Sequence, residues 1–275
     1  MVSRRLSTLC RLFALGLVTL ALAACPRGAA ERPYPEPATA DVVDYLRTQN
    51  DRAESLNAET LMDYWFSGER VRGTVLLMGE RGAKVRINAL TAGDAVAADL
   101  ACDGATFTLL DYGDDCAMSG PCDARSIGQL LGVYLEPDEL LLLSLGSVPL
   151  LAEAEIAHRW DEDRGAEEIV LTVPGGPTQR IYLQRSGAEP NGDHWDVVAS
   201  VLENADGRVQ WELENRDFET VQGADGTTFR APARSRFQQP AEDADLAVRW
   251  EEREANTELN PAAFHLDVPA GLPTC

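Results

Sequence analysis

The sequence predicts a mainly β fold of the α+β kind, in which about eleven antiparallel strands are interrupted once by two helices. Three observations predict it: period-two alternation from about Leu56 onward, turn dipeptides at regular intervals, and one apolar break near the middle. Before the first strand, Asp41 caps a short helix over Val42, Val43 and Leu46. Val71, Gly73, Val75 and Leu77 then alternate with Arg70, Arg72, Thr74 and Leu76. After a turn at 79–82, Val85, Ile87 and Ala89 continue the pattern. Residues 97–102 form the next strand, and Asp103-Gly104 turns the chain into Phe107 and Leu109. The break follows. Ser126 caps one helix reaching Leu135, and Pro137 opens a second that stops at Gly146, which is proline at a helix start and glycine past its end. Strands resume at 156–160, 169–173, 180–183, 195–202, 209–218, 229–237 and 246–250. Turns at Gly175-Gly176, Asp206-Gly207 and Asp225-Gly226 separate several of them. No change of composition divides residues 41–275, which read as one domain.

The N-terminus carries the sharpest local signal. Arg4, Arg5 and Arg11 precede the uncharged run 12–24, which is shorter than the ~20 apolar residues a spanning helix needs. A basic leader, a short apolar core and small residues before a cut site describe a secretory signal peptide over residues 1–24. Leu22-Ala23-Ala24-Cys25 resembles the lipobox of bacterial lipoproteins, which makes Cys25 the expected acylation site and the membrane a partner through its acyl chains. Residues 25–40, rich in proline, read as the lipidated cysteine and an extended tether. Pro26, rather than aspartate, follows the cysteine, which favours the outer membrane, facing the periplasm, over the inner one by analogy with the sorting rule of enteric bacteria.

Charge and cysteine content bound the rest. The chain has 24 Lys and Arg against 45 Asp and Glu, a net charge of −21. Neither nucleic-acid nor anionic-headgroup partners are expected, because phosphate neutralisation needs clustered cations. Beyond Cys10 and Cys25, four cysteines remain: Cys102, Cys116, Cys122 and Cys275. An even number in an exported domain predicts two disulfides. The short Cys-Ala-Met-Ser-Gly-Pro-Cys segment, with its Gly-Pro, suggests a Cys116–Cys122 loop and hence a Cys102–Cys275 bridge.

No catalytic constellation is legible. The chain lacks a Gly-x-Ser-x-Gly elbow, a phosphate-binding glycine loop and a His-Glu-x-x-His pair. His158, His194 and His265 stand singly, and the acidic runs 111–115 and 161–163 lack calcium-loop spacing. Neither a metal nor a cofactor is expected, and the chain does not read as an enzyme. A wide sheet curls, and its concave side must be filled or capped. The inserted helices, with Leu140 and Leu141, are the expected cap. Val75, Leu77, Phe107, Leu109, Trp211 and Trp250 are expected to face inward, around either a packed core or a dry cavity for an acyl chain.

The layout resembles the LolA/LolB family of periplasmic lipoprotein carriers. The resemblance is carried by the lipobox, Ser55-Leu56-Asn57-Ala58, Arg72-Gly73-Thr74-Val75-Leu76-Leu77 and Lys84-Val85-Arg86-Ile87. Cys102-Asp103-Gly104 with Phe107 to Asp111, the segment 137–149, and residues 264–271 complete it. Gly82-Ala83 stands where the family usually has proline, and the paired cysteines depart from the family pattern. The resemblance implies a strongly curved, half-open antiparallel β-barrel with lid helices that hold the acyl chains of a lipoprotein cargo. A filled barrel acting structurally through other envelope proteins is the alternative.

Overall fold

The computed structural model describes residues 30–66, 69–189 and 192–275; the leader and Cys25 lie outside the described residues. Helix α1 (Thr39–Arg52) precedes a first meander. Its strands are β1 (Ser55–Phe66), β2 (Glu69–Glu80), β3 (Lys84–Leu90), β4 (Val96–Asp103), β5 (Thr106–Asp111) and β6 (Cys116–Pro121). Helices α2 (Ala124–Leu131) and α3 (Pro137–Ser144) follow. The second meander contains β7 (Glu155–Asp161), β8 (Ala166–Thr172), β9 (Thr178–Glu189), β10 (Gly192–Glu203), β11 (Val209–Gln222), β12 (Thr228–Gln239) and β13 (Ala244–Ala255).

All thirteen described strands form one antiparallel sheet in the order β6-β5-β4-β3-β2-β1-β13-β12-β11-β10-β9-β8-β7. Each neighbour in the row is a neighbour in sequence except at one seam, where β1 pairs with β13 from Leu56↔Ala255 to Trp65↔Asp245. The chain's first and last strands therefore meet in the middle. β6 and β7, which the helical insert joins, become the two outer edges. The sheet is not closed, and the connection from one edge to the other crosses its concave face, where Ile127, Leu131 and Leu140–Leu143 join the inward-facing strand residues in one core.

The alternation predicted from sequence sorts the two faces. On β1, Leu56, Ala58, Thr60, Met62 and Tyr64 point inward and are buried, as are Val75 and Leu77 on β2 and Leu246, Val248 and Trp250 on β13. Arg70, Arg72 and Arg249 alternate with them and are exposed. Helix α1 lays Val42, Val43 and Leu46 on the concave side. Its stripe joins α2, α3 and the inward face of the sheet in one continuous core.

The sheet has thirteen strands rather than about eleven, and one misread segment overturns the predicted cysteine pairing as well. Cys116–Pro121 is strand β6, paired with β5 from Asp111↔Cys116 to Thr106↔Pro121, not a cysteine-bounded loop. An extended strand advances ~3.3 Å per residue, so Cys116 and Cys122 sit roughly 20 Å apart at its two ends. The disulfides are instead Cys102–Cys122, with Cα atoms 5.7 Å apart, and Cys116–Cys275, at 5.0 Å. Pro121 is tolerated because β6 is an edge strand and its missing N–H faces no partner. Gly120 is required because a Cβ there would meet the Phe107 ring at 2.9 Å.

Each disulfide has a clear mechanical role. Cys102–Cys122 ties the exit of β6 to β4 across β5. Cys116–Cys275 fastens the C-terminal tail along β6, where Ala117 N–H donates to Pro273 O (2.8 Å) and Cys275 N–H donates to Ala117 O (3.0 Å). The tail thus covers backbone groups that an exposed edge would offer to another chain.

Near the opposite edge, the proline-rich segment is bound to the sheet from Ala30 onward. Ala30 N–H donates to Glu162 O (2.9 Å), and the Trp160 indole donates to Ala30 O (2.6 Å). Arg32 pairs with Glu167 (Nη2–Oε2 3.0 Å), a carboxylate on β8 with no solvent exposure. His158 Nε2 shares that carboxylate at 2.8 Å, and its Nδ1 lies 3.3 Å from the Thr39 hydroxyl. Tyr34 stands edge-on to Trp160 and Trp195 at centroid distances of 6.0 and 5.9 Å. Burial first, and the Glu167 carboxylate next to it, push the Tyr34 hydroxyl pKa up to about 12.

Candidate functional site: the concave face and its helical cover

The cover is built from strong local signals. Asp123 caps α2, its carboxylate accepting from the Arg125 and Ser126 N–H groups, and Gly132 ends the helix in the left-handed region at φ 68°. Pro137 at the first turn and a reciprocal Glu136–Glu139 capping box start α3. Leu140, Leu141, Leu142 and Leu143 are all buried, so α3 is apolar around its whole circumference, as a helix enclosed on every side must be. Gly146, at φ 80°, ends it where any Cβ would collide with the Arg230 carbonyl.

Among the described residues no strand pairing holds this insert to the sheet. Its polar attachment is made mostly by bonds between a side chain on one side and a backbone group on the other. Gln239 on β12 accepts from Tyr134 N–H (2.7 Å) and donates to Tyr134 O (2.9 Å). Asp138 at the start of α3 accepts from Ala83 N–H (2.9 Å) in the β2–β3 turn. Asn50 on α1 donates to Val148 O (2.9 Å) and bonds the Ser147 hydroxyl. Gln179 on β9 donates to Pro149 O (2.7 Å) and accepts from Leu151 N–H (3.2 Å). Arg253 on β13, with its side chain 1% exposed, donates to Ser144 O at the end of α3 (3.1 Å) while pairing with Glu219. Burial pulls the Arg253 pKa down, and Glu219 opposes that shift.

The sequence missed these attachment residues. Gln, Asn and Asp within alternating strands and turns carry no motif, and only the tertiary structure shows what their side chains reach. Asn50 and Gln239 also fall near element ends, where polar residues are ordinary.

The eight residues expected to face a ligand are brought together. Val75, Leu77, Phe107, Leu109, Leu140, Leu141, Trp211 and Trp250 are between 1% and 7% exposed and belong to one continuous core. Trp211 lies against Phe237 with centroids 5.8 Å apart, and the Trp250 indole donates to Ser235 Oγ (3.2 Å). Helices α2 and α3 occupy the concave space. A groove of about 590 Å³ adjoins them, bounded by Val43, Asn50, Arg81, Leu142, Leu151 and Ile156 beside the open β7 edge. Among the described residues no three His, Cys, Asp or Glu side chains converge as a metal site. No helix of the described residues is long and apolar enough to cross a membrane.

No protein-family model and no curated protein matches the sequence. Likeness appears at the level of structure. A LolA superfamily protein from Nitrosomonas europaea superposes with a TM-score of 0.52 at 7% identity, over 82% of this chain and 97% of that one. A putative outer membrane lipoprotein-sorting protein domain from Vibrio parahaemolyticus gives 0.48 at 13% identity, over 81% and 95%. A DUF1329 family protein from Desulfovibrio piger gives 0.48 at 11%, over 84% and 98%. The fold is therefore LolA-like: a half-open antiparallel sheet whose concave face is covered by helices.

Proposed function

We propose that this protein is a non-enzymatic envelope lipoprotein, anchored through acylated Cys25, whose half-barrel binds acyl chains of a lipid or lipoprotein cargo beneath a movable lid. One observation carries this reading. The segment between the two sheet edges is apolar inside yet attached by side-chain-to-backbone bonds, from Gln239, Asp138, Asn50 and Gln179, rather than by strand pairing. Such a segment lifts without breaking a single ladder bond of the sheet. Lifting it exposes a dry surface lined by Val75, Leu77, Phe107, Leu109, Trp211 and Trp250 from the sheet, with Leu140 and Leu141 on the lid. An acyl chain replaces the lid's own leucines against that surface, exchanging one apolar contact for another.

The filled concave face favours a second reading, a structural lipoprotein acting through envelope protein partners. Uptake of a fluorescent acyl probe by the delipidated protein separates the two. Binding by the wild type, lost in Leu109→Glu while circular dichroism stays native, supports the carrier. A folded wild type that takes up no probe supports the structural reading. The anchor is tested separately: Cys25→Ala should abolish lipid labelling and membrane partition.

A further inference from the structure

The convex face carries a feature that neither the lid nor the anchor uses. Arg216 on β11, Arg234 on β12 and Arg249 on β13 lie directly opposite one another in register, Arg216↔Arg234 and Arg234↔Arg249. Opposite residues in an antiparallel ladder have Cβ atoms ~5 Å apart, and like charges placed there are destabilising. All three are exposed. In a chain of net charge −21, three guanidinium groups abreast require a physical account.

Each has an acid beside it: Arg216–Glu214 (3.1 Å), Arg234–Asp217 (3.0 Å) and Arg249–Glu251. Side chains in these pairs are 40–73% exposed. Exposed pairs of this kind contribute only ~0–1 kcal/mol, so they neither explain the row nor prevent an incoming anion from replacing the acids. The neighbouring row adds Arg72 on β2 and Arg236 on β12, with Asp63, Ala247 and Glu214 between and beyond them in register. Together these residues line a groove of about 330 Å³ with Leu61 and Ala247 at its apolar centre. That is the size of a small-ligand site, and it combines an apolar floor with the forks of Arg216, Arg234 and Arg249; Asp63 and Glu214 also line it, and the Arg236 fork is held by Asp245.

We propose that this groove binds an amphiphilic phosphate ester, with its phosphate held across Arg216, Arg234 and Arg249 and its apolar part resting on Leu61 and Ala247. Arginine rather than lysine suits that task, because the planar fork meets phosphate oxygens two at a time. The phosphate neutralises the like-charge row, which reverses the repulsion described above. The groove lies on the face opposite the lid, so its ligand and any acyl cargo bind independently.

Fluorescence anisotropy of 1-naphthyl phosphate with the acylated protein in neutral detergent tests this. Inorganic phosphate, 1-naphthol and Gln substitutions at Arg216, Arg234 and Arg249 together serve as comparisons. The ester should bind about tenfold or more tightly than either inorganic phosphate or 1-naphthol. The triple variant should lose that binding about tenfold or more, as expected for lost charge-assisted bonds, at a thermal midpoint no lower than that of the wild type, because removing the aligned like charges relieves their repulsion. Arg234→Lys, which keeps the charge without the fork, should lose several-fold. Competition by phosphatidic acid in the same micelles assigns the ester to a lipid headgroup; its failure to compete assigns a soluble ester. Binding that the triple variant retains, or equal binding of 1-naphthol, would overturn the site. Neither result touches the carrier reading, whose probe enters the opposite face.

Discussion

Gln239 grips both polar groups of Tyr134, accepting from its N–H at 2.7 Å and donating to its carbonyl at 2.9 Å. One side-chain amide of the sheet thus completes the backbone hydrogen bonding of the cover where α2 passes into α3. The arrangement imitates one rung of a β-ladder without adding a strand, so the contact is specific and local.

Gln239→Ala should remove both bonds and leave part-buried backbone groups unpaired, at a cost of about 1–3 kcal/mol. The loss should be local. Hydrogen exchange should accelerate over residues 131–146 before it does in the central strands, and acyl-probe uptake should become faster. Uniform loss of protection across β1, β2 and β13 would show that the insert is part of the cooperative core, not a lid.

Non-reducing peptide mapping should recover Cys102–Cys122 and Cys116–Cys275. Cys275→Ser opens a bridge with a sequence separation of 159. Chain-entropy arguments place such a loop at about 4–5 kcal/mol before native-state relaxation. The tail should then become protease-sensitive, and self-association should rise as the β6 edge is uncovered. A Cys116–Cys122 peptide in natively exported protein would contradict the strand assignment of β6.

Burial pushes the Glu139 carboxyl above its ordinary value, opposed by its hydrogen bond with Glu136 N–H. A carboxyl raised on folding favours the folded state when protonated. That contribution is present below the ordinary Glu value and is lost as pH rises through the folded-state value. Glu139→Gln keeps an acceptor for the capping box and removes the ionisation. It should raise the thermal midpoint at pH 7 and flatten its pH dependence just above the ordinary Glu range. An unchanged pH profile would place the carboxyl in water.

Glu167 holds Arg32 and His158 together beneath Tyr34. Glu167→Gln leaves the Arg32 guanidinium without its counter-charge and should destabilise by roughly 1–3 kcal/mol, below the usual cost of splitting a fully buried pair because Arg32 reaches solvent. Limited proteolysis within 30–38 should appear in the variant and be absent from the wild type. A variant equally resistant to proteolysis would leave Tyr34 and its tryptophans as sufficient to hold the segment.

The sequence alone determined which face of each strand is buried and where the chain turns. Alternation at Val75, Leu77, Val85 and Ile87, and the Asp103-Gly104, Asp206-Gly207 and Asp225-Gly226 turns, are set by side-chain period and by glycine's access to positive φ. The second inserted helix was legible for the same local reason, through Pro137 and Gly146; the first was placed too late at both ends, because Asp123 rather than Ser126 caps it and Gly132 stops it before Leu135. What the tertiary structure decided is everything that depends on which distant segments meet. β6 was unreadable because Cys116 and Cys122, with Gly120-Pro121 between, look like a turn until β5 lies beside them. The β1–β13 seam, the two edges it creates and the disulfides across them follow from strand order. Strand order is decided by pairing energies summed over whole strands, which no local pattern encodes. The grip of Gln239 on Tyr134, 105 residues away, and the alignment of Arg216, Arg234 and Arg249 follow from that same register. A one-residue slip would turn each to the other face.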